Sequence, residues 1–162
     1  MNYRYNDYMK LTKEYLRNLG YYKEAERNIS GEIQAIAHEL GGVSINSALA
    51  GGEVHGGSSE LNGVEREAER RVKQEKRYGE LLLERQSLQE QIDKLERALM
   101  ALPPTEKDIV AMFYMSHMSY ADMAVSLNFS ERTLKRRVSD ATRSVAYMLF
   151  GDRANRSIEF IQ

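Results

Sequence analysis

Between residues 131 and 143 the chain sets Arg132, Lys135, Arg136, Arg137 and Arg143 against only Glu131 and Asp140, a local net charge of +3 in a protein whose overall charge is −1. These residue types can do one kind of chemistry well. A guanidinium grips guanine O6 and N7 with two hydrogen bonds, and cations set beside phosphates displace condensed counterions. The spacing suits that chemistry. If Leu134, Val138 and Ala141 turn inward on a helix, the 3.6-residue period carries Arg132, Lys135, Arg136 and Arg143 to the outer face and its flanks.

Other chemistries find little support. The 162 residues include no cysteine, which excludes disulfides and thiolate catalysis and fits an intracellular protein. His38, His55 and His117 stand apart, without a second ligand at metal-binding spacing. Gly51-Gly-Glu-Val-His-Gly-Gly57 lacks the Gly-Lys-Ser/Thr ending of a phosphate loop, and no serine sits in a nucleophile elbow. No feature demands an enzyme, a metal or a cofactor. The longest apolar run, Ile109 to Met115, has seven residues, far short of the roughly 20 that span a bilayer, and charges from Arg4 onward interrupt any signal core. A soluble cytoplasmic protein is expected.

The elements that must position the basic segment are helical throughout. Residues 1–40 read as a helical segment, with Tyr8, Leu11, Tyr15, Leu19 and Tyr22 and then Ala25, Ile29, Ile33, Ile36 and Leu40 recurring at helical spacing. Gly20 marks a bend or break, and Gly41-Gly42 a stop. Residues 41–59 read as a flexible Gly/Ser-rich loop.

Residues 60–102 form a long charged helix, with ten acids and nine bases within 60–100. Tyr78, Leu81, Arg85, Leu88, Ile92, Leu95, Leu99 and Leu102 make a heptad seam with one charged interruption. At about 1.5 Å per residue this helix spans roughly 60 Å, so its seam needs another helix. The partner is either the amino-terminal segment folded back as a hairpin or a second copy in a coiled coil. The six tyrosines before residue 23 then read as a packing stripe against the long helix. The cations Arg66, Arg70, Arg71, Lys73, Lys76 and Arg77, interleaved with glutamates, read as a solvated face.

After the adjacent prolines 103 and 104, residues 103–150 read as a small domain of three short helices, with a tail over 151–162. Thr105-x-x-Asp108 and Ser119-x-x-Asp122 have the capping-box form, and Ser130 caps the third helix. The last two helices meet at a tight turn, Asn128-Phe129. Ala124 is small at the crossing, Asn128 tolerates a left-handed backbone, and Met123, Leu127, Phe129 and Leu134 fill the space between the helices. This is a helix-turn-helix pattern, so an all-α fold follows.

In such a motif the second helix enters the major groove amino end first. Arg132, Lys135 and Arg136 are therefore expected to read bases, while Ser130, Thr133 and Arg137 mainly hold the backbone. Ser119, Tyr120, Glu131 and Arg143 complete the candidate interface with double-stranded DNA.

The span from Leu102-Pro103-Pro104-Thr105-Glu106 to about Leu149 resembles region four of bacterial sigma factors. The likeness lies in the Leu-Pro-x-x-Glu opening, Ser-Tyr-x-x-Met-Ala in the first helix and Ser-x-x-Thr-Leu-Lys-Arg-Arg in the second. The resemblance implies binding to the upstream promoter element and contact with RNA polymerase. The whole layout looks like the phage or prophage late-transcription activators of the ArpU and RinA kind. A transcription activator that uses its helical remainder to oligomerise or touch polymerase is thus expected. The alternative, a DNA-packaging subunit of the small-terminase type, is expected to carry its DNA domain at the amino end. A purely structural scaffold leaves the shared face of Arg132, Lys135 and Arg136 without a reason.

Overall fold

The computed structural model describes residues 5–49 and 58–154, with side chains described for 7–41 and 63–154. The described residues are helical, without a strand. Two long helices, α1 (Tyr5–Leu49) and α2 (Ser58–Met100), precede α3 (Pro104–Val110), α4 (Tyr120–Leu127) and α5 (Glu131–Phe150). A π-helical turn, Ala111–Met115, extends α3, and a 3₁₀ turn, Gly151–Ala154, follows α5. The chain divides into two compact units, one of Met1–Lys23 with Glu90–Gln162 and the other of Glu24–Gln89.

Within the second unit α1 and α2 run antiparallel. Glu32 pairs with Arg77 at 3.0 Å, and seven residues further along α1 Glu39 meets Arg70 and Gln74. Advancing along one helix while retreating along the other is the signature of a hairpin. The hydrogen bond that Arg77 donates to Glu32 raises the pKa of the guanidinium. Among the described residues of this unit, Ile33 and Leu81 are the buried apolar side chains. The seam on α2 thus has an intramolecular partner here. Two of the cations expected to be merely solvated, Arg70 and Arg77, are engaged with α1.

The glycines do not act as stops. α1 runs unbroken through Gly20 and Gly41-Gly42 to Leu49. An isolated glycine in a helix costs only about 1 kcal/mol, and the ion pairs to α2 support the helix as far as Glu39. The expected loop over 41–59 is therefore shorter at both ends, since α2 starts at Ser58. Its middle, with Gly51-Gly52 and Gly56-Gly57, lies outside the described residues, as do 155–162 of the tail.

The first unit is built around α5. Leu134, Val138, Ala141, Thr142, Val145 and Ala146 are its buried positions. They share a core with Ile92, Leu95, Ala98 and Leu99 of α2, Leu102, Ile109 and Val110, Tyr114 of the π turn, and Met123 of α4. α1 adds Tyr8, Thr12, Leu16 and Leu19 to the same interior. The buried Thr12 hydroxyl donates to the Tyr8 carbonyl at 2.8 Å. Lys23 forms an ion pair with Glu96.

Part of the tyrosine stripe meets α5: Tyr8 and Tyr15 lie 5.0 and 6.4 Å from the Phe150 ring, while Tyr21 is 73% exposed. Tyr3 lies outside the described residues. Thr105 does not cap α3. The N-cap is Pro103, and Pro104 opens the helix, where its missing N–H would have been unpaired anyway.

The burial of α1 in this unit yields a direct test. Leu16→Ala, at a site with 0% exposure, should lower the unfolding free energy by about 2–5 kcal/mol in urea titration. Tyr21→Ala on the outside of the same helix should change it by less than about 0.5 kcal/mol. Equally small losses at both positions would place α1 outside the core.

Candidate nucleic-acid interface

The order of small residues between Met118 and Leu134 sets up the site. Ser119 is the N-cap of α4: its Oγ accepts from the Asp122 N–H at 3.2 Å and donates to Asp122 Oδ2 at 2.6 Å. α4 ends at Asn128, whose φ of 54° and ψ of 42° are left-handed. The Phe129 N–H then closes the turn on the Ala124 carbonyl. Ser130 starts α5, its Oγ accepting from the Thr133 N–H at 3.2 Å and lying 2.9 Å from Thr133 Oγ1. Both serine caps and the left-handed asparagine agree with the sequence expectation. The cap also commits part of the Ser130 oxygen, and the Thr133 hydroxyl beside it, to the fold.

A buried polar chain fixes how α5 is rolled. Thr142 Oγ1 donates to the Val138 carbonyl at 2.6 Å, which uses its single hydrogen. The Tyr114 hydroxyl, 3.0 Å away, is therefore the donor to Thr142. Arg17 of α1 lies 5.9 Å from the centroid of the same tyrosine ring. Thr142 was not among the expected inward residues. Its polarity hid it, because helical periodicity is scored on apolar types.

With that face held inward, the candidate residues fall into distinct settings. Arg132, Lys135, Arg136, Arg143 and Glu131 are exposed, as are Ser119 and Ser130, while Tyr120, Thr133 and Arg137 are half-buried. Among the described residues, Arg132 and Arg136 have no ion pair or hydrogen bond. Lys135 lies 3.8 Å from Glu131, and Arg143 lies 3.2 Å from Asp140. Such exposed pairs are worth a few tenths of a kcal/mol and yield readily to a phosphate.

The aromatic neighbours were only partly foreseen. Tyr120 stacks on Phe113 of the π turn, with centroids 4.8 Å apart and planes 25° from parallel, and Lys135 Nζ sits 5.4 Å from the Tyr120 ring centroid. Burial pushes the Tyr120 hydroxyl's pKa up. The Arg137 guanidinium lies 4.6 Å from the centroid of Phe129. Nothing in the spacing of the sequence pairs Phe113 with Tyr120.

A short helix and a longer one meeting at a left-handed turn, the second with a buried inner side and a cationic outer side, form a helix-turn-helix. Residues 92–144 match the family model described as Sigma-70, region 4. No curated protein and no solved structure matches the chain. The carboxy-terminal part of the chain thus holds a region-four-type helix-turn-helix, a DNA-binding module of the transcription machinery. The match starts at Ile92, within the last turns of α2 and inside the compact unit that begins at Glu90. The sequence pattern had placed the domain's start at the proline pair. No described helix is long and apolar enough to cross a membrane.

Two outcomes are expected. Asn128→Ala should lower stability by about 1–2 kcal/mol, since alanine resists the left-handed backbone, while Asn128→Gly should cost little. Thermal melts of both variants check this, and equal losses would locate the cost in the asparagine side chain instead.

The second concerns alkali. Burial pushes the Tyr114 pKa up, against the opposing effect of Arg17. Unfolded tyrosine ionises near about pH 10, below the folded value. The neutral phenol therefore stabilises the fold fully below that pH, and the contribution is lost as pH rises through the raised value. Tyr114→Phe should lose about 0.5–1.5 kcal/mol at neutral pH and show a shallower decline of stability above about pH 10. Urea titrations across that range supply the measurement.

Proposed function

We propose that this protein is a sequence-specific transcription regulator that activates phage or prophage late genes at promoters, acting with RNA polymerase in the cytoplasm of a bacterial host. The observation that carries the reading is the outer line of α5. Arg132 and Arg136 stand one turn apart, both exposed and without an ion pair among the described residues, opposite a side buried at Leu134 and Val138. An unpaired guanidinium row on a solvated rod is costly in self-repulsion and gains nothing for the fold. It matches the acceptor-rich edge of a guanine-containing groove. The match to sigma region four supports promoter DNA as the setting.

Assembly into a homo-oligomer belongs to the same proposal. Val72 and Leu83 of α2, 64% and 71% exposed, are apolar groups that a second copy would cover. Sedimentation of the full chain tests this part alone.

The function itself is tested by selecting bound sequences from random duplexes, with and without RNA polymerase. A defined site near promoters, bound more tightly with polymerase present, is the expected result. A site confined to packaging origins would favour the terminase-type alternative. Arg136→Ala should cost about 1–3 kcal/mol on the selected site and relax the preference at one base pair. Equal weakening on every sequence would reduce Arg136 to a phosphate contact.

A further inference from the structure

Three consecutive cations on α5 are treated differently by the rest of their unit. Consecutive helical residues lie about 100° apart, so Lys135 and Arg137 occupy opposite flanks of Arg136. Arg136 faces outward and has no described partner. Each flanking cation, by contrast, has an aromatic ring supplied from outside α5.

On one flank the Lys135 ammonium lies 5.4 Å from the Tyr120 ring centroid and 3.8 Å from the Glu131 carboxylate. Tyr120 is itself backed by Phe113, so its ring is not free to swing away. On the other flank the Arg137 guanidinium lies 4.6 Å from the Phe129 centroid, and Arg137 Nε is buried without a hydrogen-bond partner. The exposure that Arg137 retains therefore belongs to other atoms of its side chain.

The geometry of a groove gives this contrast a meaning. A helix with its side chains is about 10–12 Å across, and the major groove is about 12 Å wide. The outermost residues of an inserted helix meet base edges, and the residues on its two flanks meet the groove walls, which are the two phosphate backbones. A phosphate contact sets register and orientation, so it benefits from a charge held in a fixed place. Lysine and arginine side chains lose much rotamer freedom when immobilised, and a ring that holds the cation beforehand removes part of that loss from the binding step.

We propose that Lys135 and Arg137 are phosphate clamps on opposite strands of the duplex, that Tyr120 and Phe129 are positioning residues that aim them, and that base reading falls to Arg132 and Arg136. The assignment rests on the DNA-binding reading above. It moves Lys135 from the base-reading set to the backbone set, and it makes Tyr120 a support for Lys135 rather than a DNA contact.

The test is a salt series on the full chain with two duplexes, a selected site and a scrambled one. Lys135→Ala should weaken both by the same factor and reduce the slope of log K against log salt by about 0.9, the value for one lost phosphate contact. Arg137→Ala should lower the slope in the same way. Tyr120→Leu should weaken both duplexes roughly two- to fivefold, and Tyr120→Phe, which keeps the ring, should restore the unmodified affinity. Adding Tyr120→Leu to Lys135→Ala should cause no further loss, because the ring then has no cation to aim. A structural role for Tyr120 alone predicts an equal loss in both backgrounds together with a lower melting temperature, and that result overturns the proposal. So does a Lys135→Ala variant that loses one base preference while its salt slope stays unchanged. If the unmodified chain ignores duplexes at low salt, the DNA-binding reading fails and this assignment with it.

Discussion

The roll of α5 about its own axis is the constraint from which the rest of the carboxy-terminal unit follows. Its inner side carries Leu134, Val138, Ala141, Thr142, Val145 and Ala146, all buried. A rotation by one residue, about 100°, would bring a cation into that interior. Burying an uncompensated charge costs several kcal/mol, far more than any surface contact could return. The Tyr114–Thr142–Val138 hydrogen-bond chain adds direction to what apolar burial alone leaves degenerate. The cationic side is thereby turned outward without any residue having to be selected for pointing there.

The same constraint explains why the unit extends beyond the three short helices. α5 has twenty residues, and the pair α3 and α4, seven and eight residues long, cannot cover so long a buried side. Its carboxy-terminal turns meet α1 instead, where Tyr8, Ala146 and Ala154 form a small apolar cluster flanked by Met9 and Phe150. Gly151, with φ of 62° and ψ of −144°, turns the chain sharply enough to bring Ala154 into that cluster, a conformation that a side chain would resist. α1 also reaches the region that matches sigma region four, through Arg17 beside the Tyr114 ring and Lys23 paired with Glu96.

Much of this was legible in the residues because it rests on local rules. The caps at Ser119 and Ser130, the left-handed Asn128 and the inward residues Leu134, Val138 and Ala141 each depend on a few neighbouring positions, and each is found as expected. What was misread depends on competition between distant parts. Gly41-Gly42 looks like a stop only if the helix has no partner, and Glu39 with Arg70 shows that it has one. The tyrosine stripe has the right period for packing, but period does not say against what, and Phe150 proved to be the answer for Tyr8 and Tyr15. Pro103 rather than Thr105 is the cap, because Pro104 fits the first helical position without losing a hydrogen bond. The stacking of Tyr120 on Phe113 joins two elements through a π turn, a geometry that periodicity does not encode.

A chain with a net charge of −1 can still bind a polyanion, because the field a duplex meets is local. At physiological ionic strength the screening length is about 8 Å, less than the diameter of a helix with its side chains. Some acids elsewhere in the chain sit in pairs with bases, as Glu32 does with Arg77 and Glu75 with Arg71, and the net negative charge that remains there is screened beyond its own surroundings. On α5 the balance is reversed. Glu131 and Asp140 each offset one neighbour, Lys135 and Arg143, through exposed contacts that a phosphate can replace, and Arg132 and Arg136 are left without an offset among the described residues. The positive charge that matters is thus placed by pairing rather than by composition. This is why the average charge of the chain says so little about its partner, and the arrangement of thirteen residues says so much.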